Sequence, residues 1–146
     1  MNYRPIEYDQ VAAALEPHLR DLPGKLVAID GRDGVGKTPL GRFLAWTFNV
    51  SLIETDLFLK RDGTLNYYYD QIDRIIAGRL SIPRPVIVEG VTILRTLALL
   101  KRKPDFLIYV TNSMRSGGES LLGDLKAYEA KYNPVSAASF AIQLQE

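Results

Sequence analysis

The sequence predicts a three-layer α/β/α domain built on a parallel sheet, and three observations lead there. Apolar runs alternate with helical periodicities along the chain. The runs are solidly apolar, as in strands covered by helices on both faces. No internal repeat, low-complexity tract or Gly/Ser-rich linker interrupts the alternation, so residues 1–146 read as a single domain. At 146 residues the length suits one sizeable core.

The elements follow in order. An N-terminal helical segment occupies residues 1–23, where Val11, Leu15, His18, Leu19 and Leu22 recur at helical spacing and Pro17 is expected to kink or divide the helix. Pro23-Gly24 ends it. "KLVAID" (25–30) is the first strand. A helix over 39–48 carries Leu40, Phe43, Leu44 and Phe48 on one side, and "VSLIET" (50–55) is the second strand. Residues 64–78 place Leu65, Tyr68, Tyr69, Ile72, Ile75 and Ile76 on one stripe, with Gly78 as the expected stop. On that phase Tyr68 and Tyr69 belong to the core, while Tyr67 faces away beside Asp70 and Arg74. "PVIVEG" (85–90) is the third strand, 92–100 a short helix, "DFLIYV" (105–110) the fourth strand and 118–132 a helix. "SFAIQL" (139–144) alternates like an edge strand.

Composition limits the function classes. Eighteen Lys and Arg balance 17 Asp and Glu, a net charge of +1, so nothing global draws the chain to nucleic acid or an anionic membrane. Any affinity for anions has to be local. There is no cysteine, which excludes disulfides and thiolate metal sites. The opening "MNYRPIEYDQ" lacks the apolar core of a signal peptide, and no run has the length of a membrane span. The expectation is a soluble cytoplasmic protein. His18 has no metal-ligand partner at useful spacing and reads as structural; "KRK" at 101–103 reads as a solvated helix end.

The informative residues in such sheets lie just beyond the carboxyl ends of the strands. After the first strand comes Gly31-Arg32-Asp33-Gly34-Val35-Gly36-Lys37-Thr38, a full match to G-x-x-x-x-G-K-S/T between a strand and a helix. Glycines let the backbone curl so that successive N–H groups point at phosphate oxygens, and the following helix adds the positive end of its dipole. Lys37 reaches the terminal phosphates and the Thr38 hydroxyl holds Mg²⁺. Arg32 and Asp33, inside the loop, could touch phosphate or a second substrate. The predicted nucleotide-binding stretch thus runs from Gly31 through Thr38 to Pro39.

The second and third strands end at Asp56 and Glu89. A phosphoryl-transfer site needs an acidic group near its metal and a base for the acceptor hydroxyl, and these two carboxylates can meet both needs. Their plainer roles are a helical-turn cap for Asp56 and a solvated strand end for Glu89.

"VAIDGRDGVGKT" resembles the first strand and P-loop of the nucleoside and nucleotide kinase group, and "IDGRDGVGKT" is especially similar to the opening of thymidylate kinases. "ETDLFLKRDG", "YYYDQID", "PVIVEGVTILR" and "DFLIYV" resemble uridine kinase and its phosphoribulokinase relatives in order and type. The likeness spans most of residues 25–111. It implies a P-loop NTPase domain with a five-stranded parallel sheet in the order 2-3-1-4-5. It also implies ATP or another NTP with Mg²⁺, Asp56 as general base, and Glu89 as the Mg²⁺-associated carboxylate. The activity implied is transfer of a γ-phosphoryl group to a hydroxyl of a small-molecule acceptor.

Four departures qualify the resemblance. The family's lid carries several arginines, whereas residues 111–134 carry only Arg115 early on, followed by Lys126 and Lys131; Arg115 is left to steady transferred charge. The helix at 64–78 runs almost directly into the third strand, without the insertion that shapes a nucleoside pocket, which points to an acceptor other than a nucleoside. The sequence ends just past the last strand, leaving little to cover an adenine ring. Pro39 has no N–H for the α-phosphate, although proline is tolerated in a first helical turn. Two rival functions follow: a nucleotide-binding regulatory or assembly module without turnover, and a plain NTP hydrolase. The sequence leaves a homo-oligomer open.

Overall fold

The structure, a computed structural model, describes residues 4–145. Residues 1–3 of the predicted N-terminal segment, and Glu146, lie outside the described residues. Five strands, β1 (Leu26–Asp30), β2 (Ser51–Glu54), β3 (Val86–Glu89), β4 (Phe106–Asn112) and β5 (Phe140–Leu144), form one parallel sheet in the order 2-3-1-4-5. All five predicted strands are present.

Strand pleating divides the core in two. On β1, Val27 and Ile29 join one cluster with Leu15, Leu40 and Leu44, so α1 (Glu7–Leu19) and α2 (Lys37–Phe48) cover that face. Leu26 and Ala28 join Ile72, Ile76, Ile93 and Leu97 on the other face, under α3 (Tyr69–Ser81) and α4 (Ile93–Leu99). β1 is buried along its whole length, as its uninterrupted apolar run requires. The α5 helix (Leu122–Tyr132) buries Leu125 and Tyr128, and a short α6 (Pro134–Ala137), which the sequence pattern did not predict, leads into β5.

Several expectations need correction. The first helix is not divided at Pro17; it continues through it to Leu19, because the proline lies in the last turn. The third helix begins at Tyr69 rather than 64 and runs past Gly78 to Ser81, where Leu80 still packs on the core. Its predicted first turn pairs instead with the chain before it: Lys60 N–H donates to Asn66 O and Tyr68 N–H to Phe58 O, both at 2.8 Å. Extended pairing reverses the tyrosine phase. Tyr67 is 1% exposed and core, whereas Tyr68 is 45% exposed with the Lys60 ammonium over its ring. The helix expected over 118–132 begins only at Leu122. Arg102 is not merely solvated, since its Nε donates to Asp73 of α3 at 2.7 Å. His18 packs its ring on Phe106, in keeping with a structural role. Among the described residues no helix is long and apolar enough to cross a membrane.

Candidate active site

Strand register sets the site. β1 aligns Ile29 with Glu89 of β3, and β2 aligns Glu54 with the same Glu89, so the loops leaving β1, β2 and β3 emerge side by side at one edge. Gly90 allows this approach: a Cβ there would overlap Thr55 Oγ1. Gly31 has φ +155°, and a Cβ on it would lie 2.5 Å from Val110 O; no larger residue fits between β1 and β4. Gly36, left-handed, opens α2.

The loop's lysine is 6% exposed and stretched across its own loop, Nζ donating to Arg32 O at 2.6 Å. Burial pulls the Lys37 pKa down, against the opposing fields of Glu89, Asp30, Asp56 and Asp33. Thr38 Oγ1 donates to Glu89 Oε1 at 2.8 Å across 51 residues of sequence. Burial raises the Glu89 pKa, while the Thr38 hydrogen bond and Lys37 counter it. Asp56 lies in a 3₁₀ turn, Thr55–Phe58, as an exposed residue; Glu54 occupies the cap position, with no side-chain cap bond. The capping alternative for Asp56 therefore lapses.

A cavity of about 530 Å³ gathers Lys37, Thr38, Asp56, Glu89 and Arg115 against an apolar side of Leu59, Leu65 and Val91. These are five of the residues singled out in sequence, from four separate segments. Asp33, Gly34, Gly36 and Pro39 border the same cavity. Arg32 and Asp33 are otherwise engaged. The Arg32 guanidinium is bidentate to Glu129 of α5, at 2.9 Å for both bonds, and Asp33 Oδ2 accepts from Gly118 N at 3.0 Å. Their side chains tie the phosphate loop to the segment after β4.

Sequence reasoning missed Asp30. Its side chain is 1% exposed, with Oδ1 accepting from Gly31 N at 2.9 Å and Oδ2 from the Tyr128 hydroxyl at 2.6 Å. That hydroxyl in turn accepts from Leu94 N at 3.0 Å. Burial pushes the Asp30 pKa up to about 6, against those two hydrogen bonds, and burial also raises that of Tyr128. The signal for Asp30 was a charged residue closing an apolar strand; nothing local marks Tyr128.

The donor chemistry suits Mg²⁺ carried on a nucleotide. Such an ion takes most of its ligands from phosphate oxygens and water, so one hydroxyl and one carboxylate, held together as Thr38 and Glu89 are, form an adequate protein share. Hard oxygen donors beside a buried lysine fit that ion.

A five-stranded 2-3-1-4-5 parallel sheet, helices on both faces, and a G-x-x-x-x-G-K-T loop between β1 and α2 together make this a P-loop NTPase α/β/α fold. Solved kinases share it. The chain is similar to a protein described as a possible uridine kinase from Bacillus stearothermophilus, 14% identical over 93% of this chain and 97% of that one, with a TM-score of 0.65. It is also similar to shikimate kinase from Acinetobacter baumannii in complex with shikimate, at 16% identity, 90% and 88% coverage and a TM-score of 0.52. An uncharacterized protein from Eubacterium ventriosum matches at 12% identity, 84% and 89% coverage and a TM-score of 0.51. No family model matches the chain, and no curated protein matches it. At such identities the likeness is one of fold.

Proposed function

We propose that this chain is a small phosphotransferase of the uridine kinase-like group, moving the γ-phosphoryl group of ATP or another NTP to a hydroxyl of a small-molecule acceptor. The observation that carries the reading is the pairing of Thr38 with Glu89 in a cavity that also holds Lys37 and Asp56. Loop N–H groups and Lys37 hold the β- and γ-phosphates. Thr38 and Glu89 would hold Mg²⁺, with Asp56, which lines the same cavity, as a further carboxylate for it; when bound, the ion would neutralise charge on the phosphate oxygens. Asp56 takes the proton of the acceptor hydroxyl as its oxygen bonds to the γ-phosphorus and the bond to the β–γ bridging oxygen breaks, leaving NDP. Arg115 steadies the transferred charge.

The test is a transfer screen with ATP and GTP over small hydroxyl compounds, read against hydrolysis without acceptor. Asp56→Asn should lower transfer by roughly 10² to 10⁴ with nucleotide affinity retained; full transfer in that variant would remove Asp56 as the base. Lys37→Ala should abolish turnover and weaken binding in calorimetric titration, and unchanged affinity and turnover would refute the phosphate-loop assignment. Pro39 favours a second reading, nucleotide binding without turnover, which predicts nucleotide affinity and no transfer to any acceptor.

A further inference from the structure

The phosphate loop leaves the end of β1, whereas a second cavity, of about 590 Å³, is bordered by Pro104 and Ser139, which lie just before β4 and β5. In a parallel sheet these are opposite edges. Leu94 and Ala98 of α4 form one wall of this cavity, Tyr132 and Ala137 at the ends of α5 and α6 another, and Leu107 of β4, 2% exposed, belongs to the core beneath it. Such a volume with mostly apolar walls is that of a small-molecule pocket.

The polar groups around it are donors. Lys101, Arg102 and Lys103, on the turn after α4, all border the cavity, and among the described residues no carboxylate lines it. Asp105 is turned to β1, its Oδ2 accepting from Leu26 N at 2.8 Å. Arg102 already gives Nε to Asp73 at 2.7 Å. Lys101 and Lys103 are exposed, and among the described residues neither ammonium has an ion pair or a hydrogen bond. Ser139 Oγ accepts from Leu107 N at 3.0 Å, which leaves its own hydrogen to donate. Lysines just past a helix have a plainer use, to satisfy its last carbonyls. The backbone does that here: Lys101 N–H donates to Ala98 O at 3.0 Å and Arg102 N–H to Leu97 O at 2.9 Å. Lys101 moreover holds φ +58°, so a long cation stands where the backbone favours glycine or asparagine.

We infer that this cavity binds a small organic anion, with an apolar body between α4 and Tyr132 and a carboxylate, sulfonate or phosphate group at Lys101 and Lys103. Its occupant is independent of phosphoryl transfer at the phosphate loop. Fluorescence titrations use two probes with the same aromatic body, anilinonaphthalene sulfonate and its uncharged counterpart phenylnaphthylamine. The proteins are the wild type, Ala98→Trp, Ala137→Trp and the double variant Lys101→Asn with Lys103→Gln. Ala98 and Ala137 are exposed and stand on different helices, and asparagine suits the left-handed position, so the variants should keep the fold, which circular dichroism melts check. The expected result is saturable binding of the sulfonate by the wild type and a loss of about tenfold or more for both probes in each tryptophan variant. The lysine variant should lose about fivefold for the sulfonate and stay within about twofold for the amine. Wild-type affinity in either folded tryptophan variant, an equal response of the two probes to the lysine variant, or no saturable binding by the wild type would overturn the site.

Discussion

At the scale of the residue, the most consequential group is one that the loop motif does not contain. Asp30 sits behind the loop with its carboxyl raised from 3.8 to about 6 by burial. A raised carboxyl favours the protonated fold. Its contribution to stability is therefore full below about pH 4 and is lost as pH rises through about 6, an amount on the order of 3 kcal/mol. Asp30→Asn cannot ionise, so its stability relative to wild type should rise between pH 4 and pH 7. Urea midpoints of the two proteins across that range check the point, and parallel curves would show that Asp30 does not titrate there. Pro39 is the other decisive residue. It occupies the first turn of α2, where Leu40 N–H makes the bond to Gly36 O, so the helix loses nothing by it, while on the proposed function phosphate binding loses a donor. Pro39→Thr should restore one charge-assisted bond, of about 1.5 to 3 kcal/mol at most, and tighten Mg-ADP by roughly tenfold. Equal ADP dissociation constants would mean that the loop already compensates.

At the scale of the element, α5 and the chain leading into it are bound to the phosphate loop rather than standing clear of it. Arg32 pairs with Glu129, Asp33 accepts from Gly118, and Asp30 accepts from Tyr128. Arg95 of α4 adds a bidentate pair to Asp124. The Arg32–Glu129 pair is 29% and 25% exposed, more sheltered than an ordinary surface pair. A double-mutant cycle with Arg32→Ala and Glu129→Ala should give a coupling of about 1 to 2 kcal/mol in urea unfolding, against about 0.5 for an exposed pair; strict additivity would show the tether to be energetically idle. The elements themselves were legible wherever periodicity was local. β1, β3 and β4 announce themselves as apolar runs, and α2 by its Leu40 and Leu44 stripe. Tyr67 and Tyr68 were misread because helical phase was extended into residues that pair with Phe58 and Lys60, a contact that periodicity cannot register.

At the scale of the whole molecule, the proposed function links nucleotide binding to folding, because the loop joins β1 to α2 at the centre of the sheet. A ligand that binds only the folded state stabilises it by about 2.7 kcal/mol at a hundredfold excess over its Kd. Mg-ADP at that excess should therefore raise Tm by roughly 6 to 10 °C for a chain of this size, and Lys37→Ala should lose most of the shift. A shift that survives in the variant would place the nucleotide elsewhere. The sequence by itself determined the layered α/β class, the strands and the glycine-rich turn between β1 and α2, since each rests on residues within a few positions of one another: solid apolar runs, a 3.6-residue stripe, three glycines before Lys37-Thr38. Only the tertiary structure decided which side chains meet. Thr38 finds Glu89 across 51 residues and Asp30 finds Tyr128 across 98. Those meetings follow from strand order, register and helix docking, which depend on how two apolar faces pack as wholes and leave no mark on any local stretch of sequence.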